Sequence, residues 1–317
     1  MLLSFFLLLV GFVVLIFGAD KLVDSASSLA AKIGIPPIVI GLTVVAFGTS
    51  APELVVNVFA SISGSSEMVL GNVMGSNIFN VLGILGISAL IFPLTVKTNT
   101  TWIEIPLSLL AAVCVLIVGA DVFLDGAGED VITRSDGLTL LLFFIIFLVY
   151  NLSISKSDLG KDNVETESYS TGKAIVFLLL GLGGLVLGGR LIVTSAVEIA
   201  ESLGLSERVI GLTVVSIGTS LPELATSIVA VRKKNVDIAI GNVVGSNIFN
   251  IFLILGISTT INPLVLNENA FLDIFVNIFV GLLLFIFLFT GKGRRIERWE
   301  GLIFVLGYIA YLAYLIL

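Results

Sequence analysis

The stretch VIGLTVVAFGTSAPEL, residues 39–54, returns almost letter for letter as VIGLTVVSIGTSLPEL at 209–224. A second pair, GNVMGSNIFN at 71–80 and GNVVGSNIFN at 241–250, lies the same distance apart. Both matches fall at an offset of 170 residues, and Gly18 with Gly188 and Pro93 with Pro263 keep that register. Self-similarity at a fixed spacing marks a duplicated structural unit. The chain therefore reads as a tandem duplication, with motifs at 39–80 in one half and 209–250 in the other.

Working outward from the motifs, the surroundings are apolar. The 317 residues are 57% hydrophobic and only 12% charged, with a mean hydropathy of +1.16. Soluble domains carry roughly 25% charged residues, so an integral membrane protein is expected. Each half resolves into five hydrophobic segments: 2–19, 36–62, 69–92, 102–120 and 137–154, then 173–191, 206–232, 238–261, 270–290 and 299–317. Each is long enough to cross the hydrocarbon as a helix. The ten-residue alternating strands of a membrane barrel are absent. The opening MLLSFFLLLVGFVVLIFGADK lacks the basic start and small-residue cleavage site of a signal peptide, and its counterpart in the second half makes it structural.

Five segments per half is odd, so the second half must insert upside down relative to the first. The expected fold is an all-α membrane protein of ten transmembrane helices in two inverted five-helix repeats. The first repeat spans 1–154 and the second 173–317, joined by a short polar linker at 155–172. That is the plan of secondary transporters, whose substrates bind at the repeat interface near the midplane. Orientation follows from basic residues. With the N-terminus outside, Lys21, Lys32, Lys97, Lys156, Lys161, Lys173, Arg232, Lys233, Lys234, Lys292, Arg294, Arg295 and Arg298 face the cytoplasm. Only Arg134, Arg190 and Arg208 face out. Both termini are thus expected to be extracellular, in a multi-pass protein of the cell membrane. The acidic run Asp121, Asp125, Glu129, Asp130 and Asp136 then belongs to an outer, solvated loop.

Composition also excludes partners and chemistries. A net charge of −7 with no basic groove argues against nucleic acid. There is no histidine and one cysteine, Cys114, so zinc, copper and nickel lack their preferred ligands. Any metal handled here must be a hard, oxygen-seeking ion. An intramembrane hydrolase would need a nucleophile with a base, and a channel would need a symmetric filter; neither pattern is present. The lipid bilayer and transported ions are the expected partners; no protein partner is indicated, and no cofactor is implied.

The motif itself carries the chemistry. A carboxylate at the bilayer centre costs ~2.5–3.5 kcal/mol on insertion scales, and the chain places two, Glu53 and Glu223. No Lys or Arg lies at comparable depth in 36–62 or 69–92, so the countercharge is a bound cation or a proton. Thr49 and Ser50 precede Glu53 by four and three residues, which on a continuous helix puts their oxygens on its face. Thr219 and Ser220 do the same for Glu223. Pro52 has no N–H for the carbonyl of Gly48, nor Pro222 for that of Gly218, so each helix opens there and frees carbonyls. Ser76 with Asn80, and Ser246 with Asn250, add hydroxyl and amide oxygens four residues apart. Gly71 and Gly75 permit close helix approach. Asn72, Asn77, Asn242 and Asn247 are expected to bond the opened backbone. Such a set suits Ca2+, which accepts 6–8 oxygens in flexible geometry, or several Na+, without separating the two.

The paired motifs GTSAPE with GNVMGSNIFN, and GTSLPE with GNVVGSNIFN, resemble the α-repeats of the sodium/calcium exchanger family, within the cation/calcium antiporter superfamily. The resemblance covers essentially the whole chain, with the short central loop of microbial members. It implies an ion antiporter rather than an enzyme, exchanging Na+ for Ca2+ by alternating access with net charge movement. It also implies that Glu53 and Glu223 bind Ca2+ and share Na+, and that Thr49 and Thr219 help coordinate Ca2+. Ala46, Ser50, Ser76, Ser216, Ser220 and Ser246 would then contribute to flanking Na+ sites, with Asn80 and Asn250 beside the central one. Potassium-dependent relatives carry an aspartate where this chain has Asn250, which argues against potassium co-transport. The alternative within the superfamily is a Ca2+/H+ antiporter, whose motif (Gly-Asn-Ala before Thr-Glu or Glu-His) is not present.

Overall fold

A computed structural model describes residues 2–155, 169–202, 216–291 and 293–316. The ten-helix, two-repeat membrane fold expected from the duplication is what it shows. Most of the linker and the start of the second motif, 203–215, lie outside the described residues.

Two helices are much longer than a bilayer requires: α1, Leu2–Ile33, and α7, Thr171–Ser202, each of 32 residues. At 1.5 Å per residue each is about 48 Å long, against a ~30 Å hydrocarbon core, so both tilt or project beyond it. They extend well past the predicted ends at 19 and 191. The charges that suggested an end are accommodated instead. Lys233 Nζ lies 2.5 Å from Asp20 Oδ1 and 2.7 Å from Asp24 Oδ1, tying the core to α1. Partial burial opposes the charge on this lysine, yet the two carboxylates hold its pKa above the usual value.

α1 and α7 cross glycine on glycine. A Cβ on Gly18 would sit 2.8 Å from the carbonyl oxygen of Gly181, and one on Gly188 would sit 2.6 Å from the backbone nitrogen of Leu15. Small residues let membrane helices approach until backbones touch, which makes α1 and α7 a tightly joined pair.

Inside this pair lies the core. α2 (Pro37–Thr49) and α3 (Ala51–Ile62) form one span bent by 48° at Ser50, whose φ of −83° and ψ of 6° leave the helical region. Its counterpart consists of α8 (Ser216–Thr219) and α9 (Leu221–Arg232), broken at Ser220 (φ −91°, ψ 9°). Pro52 and Pro222 fall in the first turn of the second segment, where a missing N–H costs nothing. Packed against the breaks are the buried spans α4 (Ser66–Ile91) and α10 (Val236–Ile261). Each widens into a π-helical turn, at Phe79–Leu85 and Phe249–Leu255. Nearer the start of α10, Gly241 meets Gly41 of α2: its Cβ would lie 3.0 Å from the Gly41 Cα. The matching approach of Gly71 would involve Gly211, outside the described residues.

α5 (Thr100–Gly119), α6 (Arg134–Ser155), α11 (Glu268–Phe287) and α12 (Arg298–Ile316) complete the two halves. Two short antiparallel ribbons clip the halves together. β1 (Leu94–Thr95) pairs with β4 (Arg295–Ile296), and β2 (Val131–Ile132) with β3 (Leu264–Val265). The acidic run organises its own loop: Asp130 and Asp121 accept from the amides of Val122 and Val131, and Asp136 from that of Thr133.

The glycine seam yields a paired prediction. Gly188→Leu should destabilise the purified protein by ~1–3 kcal/mol or prevent its accumulation, as overpacking does. Gly183→Leu, on the same helix with no atom within 4 Å of its Cβ position, should leave thermal stability unchanged. Melting of both variants in one detergent checks this; equal effects would refute the seam.

Candidate cation site

The two breaks bring Glu53 and Glu223 into the same buried region, each the third residue of its helix segment and 2% and 1% exposed respectively. Ser-x-x-Glu at a helix start is the spacing of a capping box, but neither Ser50 nor Ser220 makes a side-chain cap. Instead the serines reach across the repeats. Ser50 Oγ donates to Glu223 Oε1 at 2.9 Å and lies 3.0 Å from Ser246 Oγ. Ser220 Oγ donates to Glu53 Oε1 at 3.3 Å and lies 3.2 Å from Ser76 Oγ.

This corrects the same-face expectation. The i to i+3 rule holds only on an unbroken helix, and the 48° bend turns Ser50 away from Glu53. The threonines also face other partners. Thr49 Oγ1 donates to Asn242 Oδ1 at 3.0 Å, with the Ala46 carbonyl 3.3 Å away. Thr219 Oγ1 donates to Asn72 Oδ1 at 3.4 Å. Ala46 is buried, and its carbonyl already accepts the Ser50 amide at 2.9 Å. The side chain of Ser216 lies outside the described residues.

The asparagines divide the remaining work. Asn242 Nδ2 donates to the Glu223 carbonyl at 3.2 Å and to Ser227 Oγ at 3.0 Å, so it bonds backbone inside α9 rather than the carbonyl opened at Gly218. Asn72, in contrast, accepts from a side chain. Asn77 Nδ2 donates to the backbone carbonyl of Asn247 at 3.2 Å, and Asn247 Nδ2 returns the bond to that of Asn77 at 3.5 Å. Asn80 Nδ2 then donates to Asn247 Oδ1, and Asn250 Nδ2 to Asn77 Oδ1, both at 2.9 Å. Residue types alone gave no sign of this cross-repeat exchange; the shared offset of 170 was the only available signal.

What remains is a set of acceptors. Glu53 Oε2, Glu223 Oε2, Asn80 Oδ1 and Asn250 Oδ1 are buried and have no hydrogen-bond partner among the described residues. A buried acceptor without a donor costs ~1–3 kcal/mol, more when charged. The ion pairs among the described residues, such as Lys97–Asp237 and Lys233–Asp24, involve neither glutamate. No group of three or more His, Cys, Asp or Glu gathers among the described residues either. Two carboxylates with serine hydroxyls bonded to them across the repeats form an all-oxygen donor set of the kind hard cations take.

Residues 3–153 and 173–317 match the family described as sodium/calcium exchanger protein. The chain belongs to the sodium/calcium exchanger family. It is 37% identical to the inner membrane protein YrbG of Escherichia coli over 99% of this chain and 97% of that one. It is 36% identical to the sodium/calcium exchanger MaX1 of Methanosarcina acetivorans, covering 98% of each chain. Solved structures of the sodium–calcium exchanger NCX_Mj, soaked with Na+, Ca2+ or Sr2+, superpose with a TM-score of 0.84 at 33–34% identity, covering 98–99% of this chain and 98% of that one. This exchanger is therefore a multi-pass cation antiporter.

The crossed hydrogen bonds are testable by double-mutant cycles on cation affinity. Ser50→Ala with Glu223→Gln should show a coupling of ~1–3 kcal/mol, typical of a hydrogen bond to a charged group. Ser50→Ala with Glu53→Gln should be close to additive. The opposite pattern would restore the same-helix arrangement.

Proposed function

We propose that this protein exchanges extracellular Na+ for cytoplasmic Ca2+ by alternating access, with net charge movement, and so extrudes Ca2+ from the cell. The observation that carries the reading is four buried motif oxygens, two of them carboxylate, that meet neither a hydrogen-bond donor nor a cationic side chain among the described residues. Names of relatives support it: MaX1 is called a sodium/calcium exchanger, and NCX_Mj was soaked with Na+, Ca2+ and Sr2+. Glu53 and Glu223 share the cations, with Thr49, Thr219, Asn80 and Asn250 around Ca2+. Ser50, Ser76, Ser220, Ser246, Ala46 and Ser216 serve flanking Na+ positions. Neutral amides at both Asn80 and Asn250 leave no further carboxylate for potassium.

The halves 1–154 and 173–317 act as the two inverted repeats around this site, with 155–172 as a cytoplasmic linker. The distribution of Lys and Arg supports extracellular termini in the cell membrane. The joined α1–α7 pair is the unit that glides across the core, exposing the site to one side and then the other. Gliding with an empty site would carry two unpaired carboxylates through a closing, low-dielectric cavity. That penalty is large, and it is what couples movement to cargo.

The test is Ca2+ uptake into proteoliposomes of the purified protein, driven by an outward Na+ gradient. Uptake should follow the Na+ gradient and vary with a potassium–valinomycin potential, and Glu53→Gln should reduce it to background. Uptake that ignores Na+ but follows a proton gradient would replace this reading with Ca2+/H+ exchange. Normal transport by Glu53→Gln would remove that residue from the site.

A further inference from the structure

Glutamate presents oxygen at both ends of its carboxylate, but asparagine does not. The two ends of a carboxamide are nearly identical in shape, one an acceptor and the other a double donor. An Asn80 or Asn250 turned by half a revolution would fill the same space and aim an N–H pair at a bound cation. Something must therefore choose the orientation, and sterics alone cannot.

The hydrogen-bond chain supplies that choice. A backbone carbonyl accepts and never donates, so the end of Asn77 facing the Asn247 carbonyl must be its NH2, at 3.2 Å. Asn77 Oδ1 is then the end that meets Asn250, which can answer only with its own NH2, at 2.9 Å. The oxygen of Asn250 is left facing away from that bond, buried and unpartnered. The mirror chain runs from the Asn77 carbonyl through Asn247 to Asn80, at 3.5 and 2.9 Å, and leaves Asn80 Oδ1 unpartnered. Each chain starts in one repeat, passes through the other and ends on the first, so neither half can orient its own asparagine. In each chain the amide nitrogen of Asn80 or Asn250 makes the cross-repeat bond and the oxygen is left over.

We infer that Asn77 and Asn247 are positioning residues, which fix the amides of Asn250 and Asn80 with oxygen toward the transported cation. This rests on the reading of the site as a cation site. Outer residues that orient metal ligands typically change affinity by 10–100-fold when removed, and a change of that size is expected here.

The experiment measures equilibrium Ca2+ binding to the purified full-length protein by calorimetry, alongside thermal stability without Ca2+. Asn247→Ala should weaken binding by about tenfold or more. In an Asn80→Asp background, where both ends of the side chain are oxygens and Asn247 Oδ1 has no donor to accept from, the same Asn247→Ala change should cost no affinity. The mirror set, Asn77→Ala with and without Asn250→Asp, repeats the test independently should Asn247→Ala fail to fold. An equal loss in both backgrounds would mean a purely structural role and overturn the inference, as would unchanged affinity in folded single variants. Wild-type protein that binds no Ca2+ would overturn the cation reading itself, and this inference with it, and that outcome is distinct from the other two.

Discussion

The constraint behind this fold is two carboxylates buried at membrane depth with no cationic side chain beside them among the described residues. Each costs ~2.5–3.5 kcal/mol to place there, and the protein offsets only part of that. Glu53 and Glu223 sit in the first turn of a helix segment, where the helix dipole favours negative charge. One oxygen of each receives a serine hydroxyl. The other oxygen is left without a donor among the described residues, and a further side-chain donor there would compete with the cargo. The breaks at Ser50 and Ser220 follow from the same need, since a straight helix could not turn these oxygens inward together. Breaking a helix in hydrocarbon is tolerable only where neighbouring helices re-satisfy the backbone, which is why the buried α4 and α10 pack on the breaks.

The inverted duplication makes a site that neither half contains. Ser50 serves Glu223 and Ser220 serves Glu53, while Asn77 and Asn247 bond each other's backbone. Crossing the repeats makes each glutamate depend on a serine from the other half. It also leaves the outer helices free of the chemistry. α1 and α7 touch each other backbone to backbone, and their polar ties to the core, Lys233 with Asp20 and Asp24 and Asn235 with Ser27, lie apart from the glutamates.

Much of this was legible in the sequence. The offset of 170 and the five apolar segments per half give the fold, and Pro52 and Pro222 mark the breaks. The lengths of α1 and α7 were not legible, because Asp20, Lys21 and Arg190 look like helix ends to any reading by hydropathy. Only the structure shows Lys233 arriving to pair Asp20 and Asp24. The partners of Ser50 and Thr49 were misread for a geometric reason: spacing along a chain predicts neighbours only while the helix continues, and it stops between them and Glu53. The asparagines Asn77 and Asn247 were visible as polar residues in a repeated motif. Their reciprocal bonding was not, because it depends on a partner 170 residues away.

A perfectly symmetric inverted repeat would have two equivalent end states, inward and outward, of equal energy. This chain departs from symmetry where α1 meets α9. Asp20, Asp24 and Lys233 have as their counterparts, 170 residues away, Arg190, Thr194 and Ser63. That second set contains no acid, so it cannot form the same ion pair. Lys233 and Asp24 are about 31% and 19% exposed, and a half-exposed pair is worth up to ~1 kcal/mol. Were the pair formed in only one of two otherwise balanced end states, it would change their ratio about fivefold. Under the proposed exchange, a contact such as Lys233 with α1, set apart from Glu53 and Glu223, would then bear on which side the protein faces rather than on what it binds.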